Sequence, residues 1–322
     1  MRIVFMATPE AAVPALRRLV ADGHEIVAVW TQPDKASGRG NKVSASPVKK
    51  LAIAHGLTVH QPAKIRTPES QALFASHNAD LAIVVAYGRI LPAAFLRAPK
   101  RGCINVHFSL LPLYRGAAPV NWAVINGEEK TGVTTMFIEE ELDSGPILLQ
   151  RGTQIGKFET APELMDRLAE LGAELLGETL GRLDAITPRP QHDRDATFAP
   201  ILRKENGLIN WSKTAFAVER CIRGLQPWPN AYTQYKTHRL IIWSAAPWEN
   251  GWPDPASPAG QPGWGGAAPG EVVAALGDDL IVKCGGQTAL RLIEVQPEAK
   301  RRMSVRDFLN GTHLKVGERF DT

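Results

Sequence analysis

A dense group of polar side chains within residues 102–112 could carry out acyl or proton transfer. Asn105 and His107 alternate along a segment with strand character, so both side chains point to the same face of that strand. An amide N–H beside an imidazole can stabilise a developing oxyanion and move a proton. Taken alone, however, Asn-x-His is more often a turn asparagine next to a satisfied histidine. Cys103, two residues before Asn105, is expected to be a small inward-facing core residue.

The first half of the chain alternates short β-branched runs with amphipathic segments. The predicted strands are 2–6, 26–31, 80–85 and 103–107. The predicted helices are 11–22, 47–55, 68–77 and 92–97, several with proline near the start. This alternation predicts an α/β fold with an open, mostly parallel, Rossmann-like sheet. Ligands bind outside the carboxyl ends of such strands, which is where the residues after Val85 and Val106 lie.

The second half has a different pattern. A strand pair is predicted within 131–155, and a long helix is predicted from about 161 to 186 with leucines along one stripe. The polar, proline-bearing residues that follow predict a catalytic domain over 1–187, a linker over 188–205 and a C-terminal domain over 206–322.

The C-terminal domain is predicted to be a small β-barrel of the OB-like type, because its strands are short and evenly spaced. Its predicted elements are a helix at 214–224 and strands at 231–235, 240–244, 271–276, 280–283 and 289–295. Residues 247–270, rich in Pro, Gly and Trp, are predicted to form a long surface loop.

Composition narrows the class of protein. The chain has 322 residues, is 44% hydrophobic and 22% charged, and carries 37 Lys and Arg against 33 Asp and Glu. The resulting net charge of +4 permits a polyanionic partner without requiring one. Three scattered cysteines with no Cys-x-x-Cys argue against a disulfide framework and against a metal site. No secretory segment or run of ~20 apolar residues occurs, so we expect a cytoplasmic protein with no membrane partner.

Several nucleotide-binding and hydrolase motifs are missing. The turn after the first predicted strand, Ala7-Thr8-Pro9-Glu10, contains no glycine, so it cannot be a dinucleotide fingerprint. The sequence also has no phosphate-binding P-loop and no G-x-S-x-G nucleophile elbow. A nicotinamide dehydrogenase, the usual first guess for a parallel α/β sheet, is therefore disfavoured.

Three longer motifs surround the polar group. They are Asn105-x-His107, Ser109-Leu110-Leu111-Pro112-x-Tyr114-Arg115-Gly116-x-Ala118-Pro119 and Glu141-Leu142-Asp143-Ser144-Gly145. Together they resemble the active-site signature of the folate-dependent formyltransferases, and the likeness extends over essentially the whole chain. Four further regions are similar to the branch of that family that acts on initiator tRNA: 31–34 with 38–40 and 46–49, 84–88 with 90–92, 131–134, and 219–223 with 227–229.

A few positions depart from the family pattern. Phe108 and Ala7 stand where glycines are common, and Leu113 stands where Arg or Lys is common. We expect Phe108 to narrow the floor of the crevice. None of the three departures removes a residue with a chemical role.

The resemblance implies the formyltransferase fold, a reaction and a site. The formyl group of 10-formyltetrahydrofolate would pass to the α-amino group of methionine on initiator tRNA, with no metal and no covalent intermediate. Asn105 and protonated His107 would donate to the oxyanion, and Asp143 would orient and charge the imidazole. Folate would lie between two walls. One is formed by Ser109, Leu110, Leu111 and Pro112, and the other by Val85, Tyr87 and Gly88.

The partner is expected to be the charged initiator tRNA, bound by a monomer of this chain. Candidate tRNA contacts are Arg39 and Lys42 in the basic loop 34–46, Arg220 and Arg223 on one helix face, and Arg301 and Arg302 in a basic cluster. Two alternatives stay open: a sugar-nucleotide formyltransferase with the same folate site, and an RNA-binding protein that has lost the chemistry.

Overall fold

The computed structural model describes residues 1–37, 42–248 and 266–321. The chain divides into two compact units. The first contains residues 1–120, 130–155 and 163–201, and the second contains 121–129, 156–162 and 202–322. Most of the segment predicted as a linker thus packs within the first unit.

The first unit is built around eleven described strands. They are β1 Arg2–Ala7, β2 Glu25–Trp30, β3 Lys35–Ser37, β4 Lys42–Ser44, β5 Val59–His60, β6 Leu81–Val85, β7 Cys103–His107, β8 Arg115–Gly116, β9 Lys130–Phe137, β10 Ile147–Gln154 and β11 Phe198–Ala199. The helices of this part of the chain are α1 Val13–Ala21, α2 Pro47–Ala54, α3 Pro68–Ser76, α4 Ala93–Arg97, α5 Pro119–Asn126 and α6 Ala161–Gly181.

The central sheet has seven strands in the order β10-β9-β7-β6-β1-β2-β5. The five strands from β7 to β5 are parallel, and β9 and β10 add an antiparallel pair beyond β7. The predicted open, mostly parallel α/β sheet is therefore confirmed. Ala7 pairs with Val85 and Val84 pairs with Asn105, so the carboxyl ends of β1, β6 and β7 lie side by side.

Local sequence explains where the helices begin. The Ser46 hydroxyl accepts from the backbone N–H of Lys49 at 3.2 Å, and Pro47 follows it. Side-chain caps and proline in the first turn are the usual start of a helix, because both suit backbone groups that have no partner there. The long helix α6 buries most of the predicted leucine stripe and ends at Gly181, five residues before the predicted end.

The loop 34–46 differs from its prediction. Strands β3 and β4 form an antiparallel hairpin within it, with Ala36 opposite Val43. Each strand is only three residues long, too short to show an alternating pattern in the sequence. Lys42 begins β4, whereas Arg39 lies outside the described residues.

The second unit contains a curled antiparallel sheet. Its elements are helices α7 Ala215–Gly224 and α8 Val305–Gly311, and strands β12 Tyr232–Tyr235, β13 His238–Pro247, β14 Val272–Leu276, β15 Asp279–Lys283, β16 Ala289–Pro297 and β17 Met303–Ser304. The strand order is β12-β13-β16-β15-β14, with β17 beside β16. The backbone N–H of Gly317 donates to Val272 and that of Asp321 donates to Gln234, so residues 317–321 bridge the two edge strands. This arrangement confirms the predicted small barrel-like domain.

Of the predicted surface loop 247–270, residues 249–265 lie outside the described part of the chain. Across residues 1–37, 42–248 and 266–321, no helix combines the length and the apolar character needed to cross a membrane.

Candidate active site

His107 occupies the carboxyl end of β7 and is 5% exposed. Its Nε2 lies 2.9 Å from the carbonyl oxygen of Tyr114, and its Nδ1 lies 3.7 Å from Oδ2 of Asp143. The second distance is that of an ion pair and exceeds a hydrogen bond. Nε2 must be the donor in the first contact, because a carbonyl oxygen can only accept, and the Asp143 carboxylate lies on the Nδ1 side of the ring.

Asn105 lies on the same face of β7, two residues before His107. It is half-buried, and its side chain makes no hydrogen bond to any residue that the structure describes. An amide with unused donors beside a fixed imidazole can bind an oxygen that becomes negatively charged during a reaction. The structure thus places Asn105 and His107 side by side, as predicted, and leaves the Asn105 amide free to bind a ligand.

Asp143 reaches this strand from the loop between β9 and β10. Its Oδ2 accepts a 2.8 Å hydrogen bond from the backbone N–H of Gly116, and the same atom faces His107. The backbone of Asp143 has φ +51°, in the left-handed region that few non-glycine residues occupy. Close packing also fixes the loop at Gly145, where a Cβ would overlap the carbonyl oxygen of Phe137.

Residues 109–112 form a tight turn after β7, and each of their carbonyl oxygens already accepts a hydrogen bond. The donors are Thr134 Oγ1 to Ser109, Leu113 N to Leu110, Gln150 Nε2 to Leu111 and Thr197 N to Pro112. The Ser109 hydroxyl is buried and donates to the Leu113 carbonyl at 2.6 Å. This turn is therefore a rigid surface rather than a set of free acceptors.

Residues 85–88 lie at and after the end of β6, the strand that pairs with β7. Val85 and Tyr87 are buried, and the Tyr87 ring belongs to the hydrophobic core beneath the sheet, with its hydroxyl unpartnered among the described residues. Burial raises the pKa of Tyr87. Gly88 is exposed with φ +81°, and nothing lies within 4 Å of a Cβ built there. Of these four residues, Ala86 and Gly88 are exposed and open to a ligand.

Two neighbours of the pair have structural roles. Cys103 is buried, its Sγ lies 3.5 Å from the Phe95 carbonyl, and burial raises its pKa to about 12, so the predicted core role is confirmed.

Phe108 was expected to narrow the crevice, and that expectation is wrong. A Cβ on Gly172 of α6 would lie 3.0 Å from Val106 and 3.5 Å from the Phe108 ring, so both pack against α6 on the face opposite Asn105.

Arg220 and Arg223 share one face of α7, as predicted, but that face is covered within the second unit. Arg223 is ion-paired with Glu219 at 2.5 Å and donates to the Glu159 carbonyl at 2.6 Å. The Arg220 guanidinium packs against Gly127, and its Nε is buried. These internal contacts disfavour phosphate binding by either side chain.

Arg301 and Arg302 are exposed, and they differ in their contacts. Arg302 is ion-paired with Glu294 and lies over the Trp243 ring, 5.0 Å from its centroid. Arg301 makes no ion pair with any residue in the described part of the chain. Of this cluster, Arg301 has the more available charge.

Part of the positive charge near the hairpin is neutralised. Lys49 Nζ lies 2.5 Å from Oδ2 of Asp34 and 2.6 Å from Oε1 of Gln61. The hydrogen bond from Lys49, followed by the one from Gln61, lowers the pKa of Asp34. Arg39 and Lys42 stay predicted tRNA contacts, since their side chains lie outside the described part of the chain.

Gln191, which no sequence motif predicted, supports the site together with Arg115. Gln191 donates from its side chain to the carbonyls of Asp143 and Gly145, and Arg115 donates to Gln191. No local pattern marks Gln191, which lies in a proline-bearing segment predicted as a linker. Among the described residues, no group of three or more His, Cys, Asp and Glu side chains could hold a metal ion.

Comparisons with known proteins agree with this geometry. Residues 1–180 match the family described as formyl transferase, and residues 201–313 match formyl transferase, C-terminal domain. A methionyl-tRNA formyltransferase of Caldanaerobacter subterraneus subsp. tengcongensis is 48% identical, covering 98% of this chain and 99% of that protein. One from Methylococcus capsulatus is 46% identical and covers 100% of both.

A solved structure shares the fold. The N-formyltransferase from Helicobacter canadensis, in complex with folinic acid and dTDP-3-aminofucose, aligns with a TM-score of 0.64 at 17% identity, covering 90% of this chain and 98% of that chain. A sequence identity of 17% supports the shared fold alone. The relatives that are 46–48% identical over the full length show to which group of formyltransferases the chain belongs. The chain therefore belongs to the family of methionyl-tRNA formyltransferases.

Proposed function

We propose that this chain transfers the formyl group of 10-formyltetrahydrofolate to the α-amino group of methionyl initiator tRNA. The observation that carries the proposal is the open Asn105 amide beside His107, which Tyr114 and Asp143 hold at the carboxyl edge of the sheet. Acyl transfer between two amines needs this kind of oxyanion support and no metal.

The reaction can be written with this chain's residues in named roles. The neutral methionine amine attacks the formyl carbon, and the carbonyl oxygen becomes an oxyanion to which the Asn105 amide donates. The bond to folate N10 then breaks as the proton lost by the attacking amine reaches N10. Protonated His107 would place a positive charge beside the oxyanion, with the Asp143 carboxylate 3.7 Å from Nδ1. Its Nε2–H already donates to the Tyr114 carbonyl, so it would reach the oxyanion only by sharing that hydrogen.

Folate would lie against the rigid turn 109–112 and the exposed residues Ala86 and Gly88. Backbone N–H groups and apolar surface would supply that pocket, since the turn's carbonyl oxygens accept internal bonds. Val85 and Tyr87 would support this wall from the core. We further propose a monomer that works in the cytoplasm.

The direct test supplies the purified chain with 10-formyltetrahydrofolate and two acceptors in parallel. We expect formylation of charged initiator tRNA and none of a 4-amino-sugar nucleotide. Formylation of the sugar nucleotide alone would replace the proposal with the sugar-nucleotide alternative. Absence of both products, with RNA still bound, would favour the binding protein that has lost the chemistry.

Arg39 is proposed to place the 3′ end of the tRNA. Arg39→Ala should lower kcat/KM for charged tRNA by more than tenfold without changing folate affinity, because a guanidinium can pair with a phosphate bidentately. Arg39→Lys should recover only part of that loss, since an ammonium lacks the planar fork. Wild-type kcat/KM in Arg39→Ala would contradict the role.

Arg301 and Arg302 are proposed to contact tRNA phosphates. Replacing both by Ala should weaken tRNA binding and reduce the slope of log K against log salt by about 0.7–0.9 for each phosphate that is no longer neutralised. Most of the effect should come from Arg301, because Glu294 already pairs with Arg302. A double variant of two exposed arginines elsewhere, Arg17→Ala with Arg97→Ala, changes net charge equally and should keep the wild-type slope. Equal slopes in the two double variants would remove Arg301 and Arg302 from the interface.

A further inference from the structure

Gln191 connects the segment after α6 to the loop that carries Asp143. Its Nε2 lies 2.9 Å from the Asp143 carbonyl oxygen and 2.7 Å from the Gly145 carbonyl oxygen. Its Oε1 accepts a 3.0 Å hydrogen bond from Nε of Arg115. We propose that Gln191 is a positioning residue, whose side-chain amide holds the Asp143 loop so that the carboxylate faces His107. The inference rests on the proposed function.

The orientation of the Gln191 amide follows from its partners. A guanidinium can only donate, so the atom that meets Arg115 must be the amide oxygen. The NH₂ group then faces two carbonyl oxygens, each of which needs a donor. All three contacts are satisfied in one orientation, and turning the amide over would break all three.

Gln191 is itself fixed by its neighbours. Arg189 and Ile147 exchange two backbone hydrogen bonds of 2.8 Å, so the segment runs as a short antiparallel bridge beside the start of β10. Arg115 is 3% exposed, and its Nη1 donates to Asp193 at 2.9 Å. The chain on both sides of Gln191 is thus anchored to the first unit.

The loop needs such support. Asp143 has φ +51°, a conformation that costs an L-residue about 1 kcal/mol or more and persists only where the surroundings fix it. The two hydrogen bonds from Gln191 act on the backbone of this residue and of Gly145. Losing them would let the carboxylate move away from both its partners, Gly116 N–H and His107 Nδ1.

The Gly116 amide offers a readout that does not depend on turnover. It donates to Oδ2 of Asp143 at 2.8 Å, whereas the neighbouring Arg115 amide donates to the Thr197 carbonyl at 2.9 Å. Amide hydrogen exchange measured by NMR can therefore follow the carboxylate at Gly116 and the strand pairing at Arg115 separately.

The decisive variant is Gln191→Glu, which keeps the shape and the contact with Arg115 while removing both donors. We expect exchange at Gly116 to become about tenfold faster, approaching that of Asp143→Ala, because two hydrogen bonds to the loop are removed. Exchange at Arg115 should not change. Unchanged exchange at Gly116 would overturn the proposal, and equal acceleration at both amides would show general support of β8 instead.

Steady-state kinetics provide a second test of the role of Gln191. Gln191→Glu should lower kcat about tenfold with KM for folate unchanged, since the loop's effect is on the transition state. Combined with Asp143→Asn, it should cost no more than Asp143→Asn alone, because residues that act through one another are not additive. Additive losses would contradict positioning. Arg194→Ala, an exposed neighbour whose side chain pairs with Asp195, should behave as wild type. If no variant formylates tRNA, including the wild type, the proposed function fails while the exchange result still decides the role of Gln191.

Discussion

Asn105→Ala is expected to lower kcat by about 10²–10³-fold, the usual loss when one oxyanion donor is removed. The KM for 10-formyltetrahydrofolate should change little, because the interaction forms mainly in the transition state. Single-turnover formylation of charged tRNA, followed by acid quench, measures the chemical step directly.

The thermal midpoint separates this variant from His107→Ala. The Asn105 amide bonds no described residue, so its removal should leave the midpoint near that of wild type. His107 is buried and bonded to Tyr114, so His107→Ala should lose a similar factor in kcat and also unfold at a lower temperature. Near-wild-type turnover in either variant would remove that residue from the reaction.

The fold was predictable because its signals are local. Buried β-branched runs alternating with proline-started helices already indicate a parallel sheet, and the strands β1, β6 and β7 lie within one residue of their predicted bounds. The alternation that places Asn105 and His107 on one face also places Val106 and Phe108 on the other. Applying that parity to Phe108 would have avoided the wrong expectation about the crevice.

What the sequence could not show depends on tertiary contacts. Helical periodicity puts Arg220 and Arg223 on one face of α7, but it carries no information about the segments 121–129 and 156–162 that cover that face. Gln191 is 48 residues from Asp143, and no motif near it in the sequence indicates that its side chain bonds to the Asp143 loop. The role of Asp143 was predicted only through the family motif, since an aspartate before Ser-Gly is otherwise an ordinary turn residue.

Asp143→Asn is expected to lower kcat by about 10²-fold or more, because a carboxylate that orients a histidine cannot be replaced by its neutral amide without a large loss. In this structure a single oxygen, Oδ2, serves both Gly116 N–H and the Nδ1 side of His107. The amide oxygen of asparagine could keep the shape of that contact, but it would lose the negative charge that balances an imidazolium. If the amide turned over, its NH₂ would face two donors.

The change therefore removes electrostatic support while keeping volume, and the KM values for folate and tRNA should stay close to wild type. Glu141→Gln is the matched control, since it makes the same change of charge on an exposed residue of the same loop and should leave kcat unchanged. Hydrogen exchange at the Gly116 amide distinguishes two causes of a lower kcat in Asp143→Asn, the loss of charge and a movement of the loop. Protection retained with kcat reduced means that charge is what His107 requires, whereas protection lost means that the loop has moved. If Asp143→Asn and Glu141→Gln have the same kcat as wild type, Asp143 plays no part in catalysis, and His107 depends on the Tyr114 carbonyl alone.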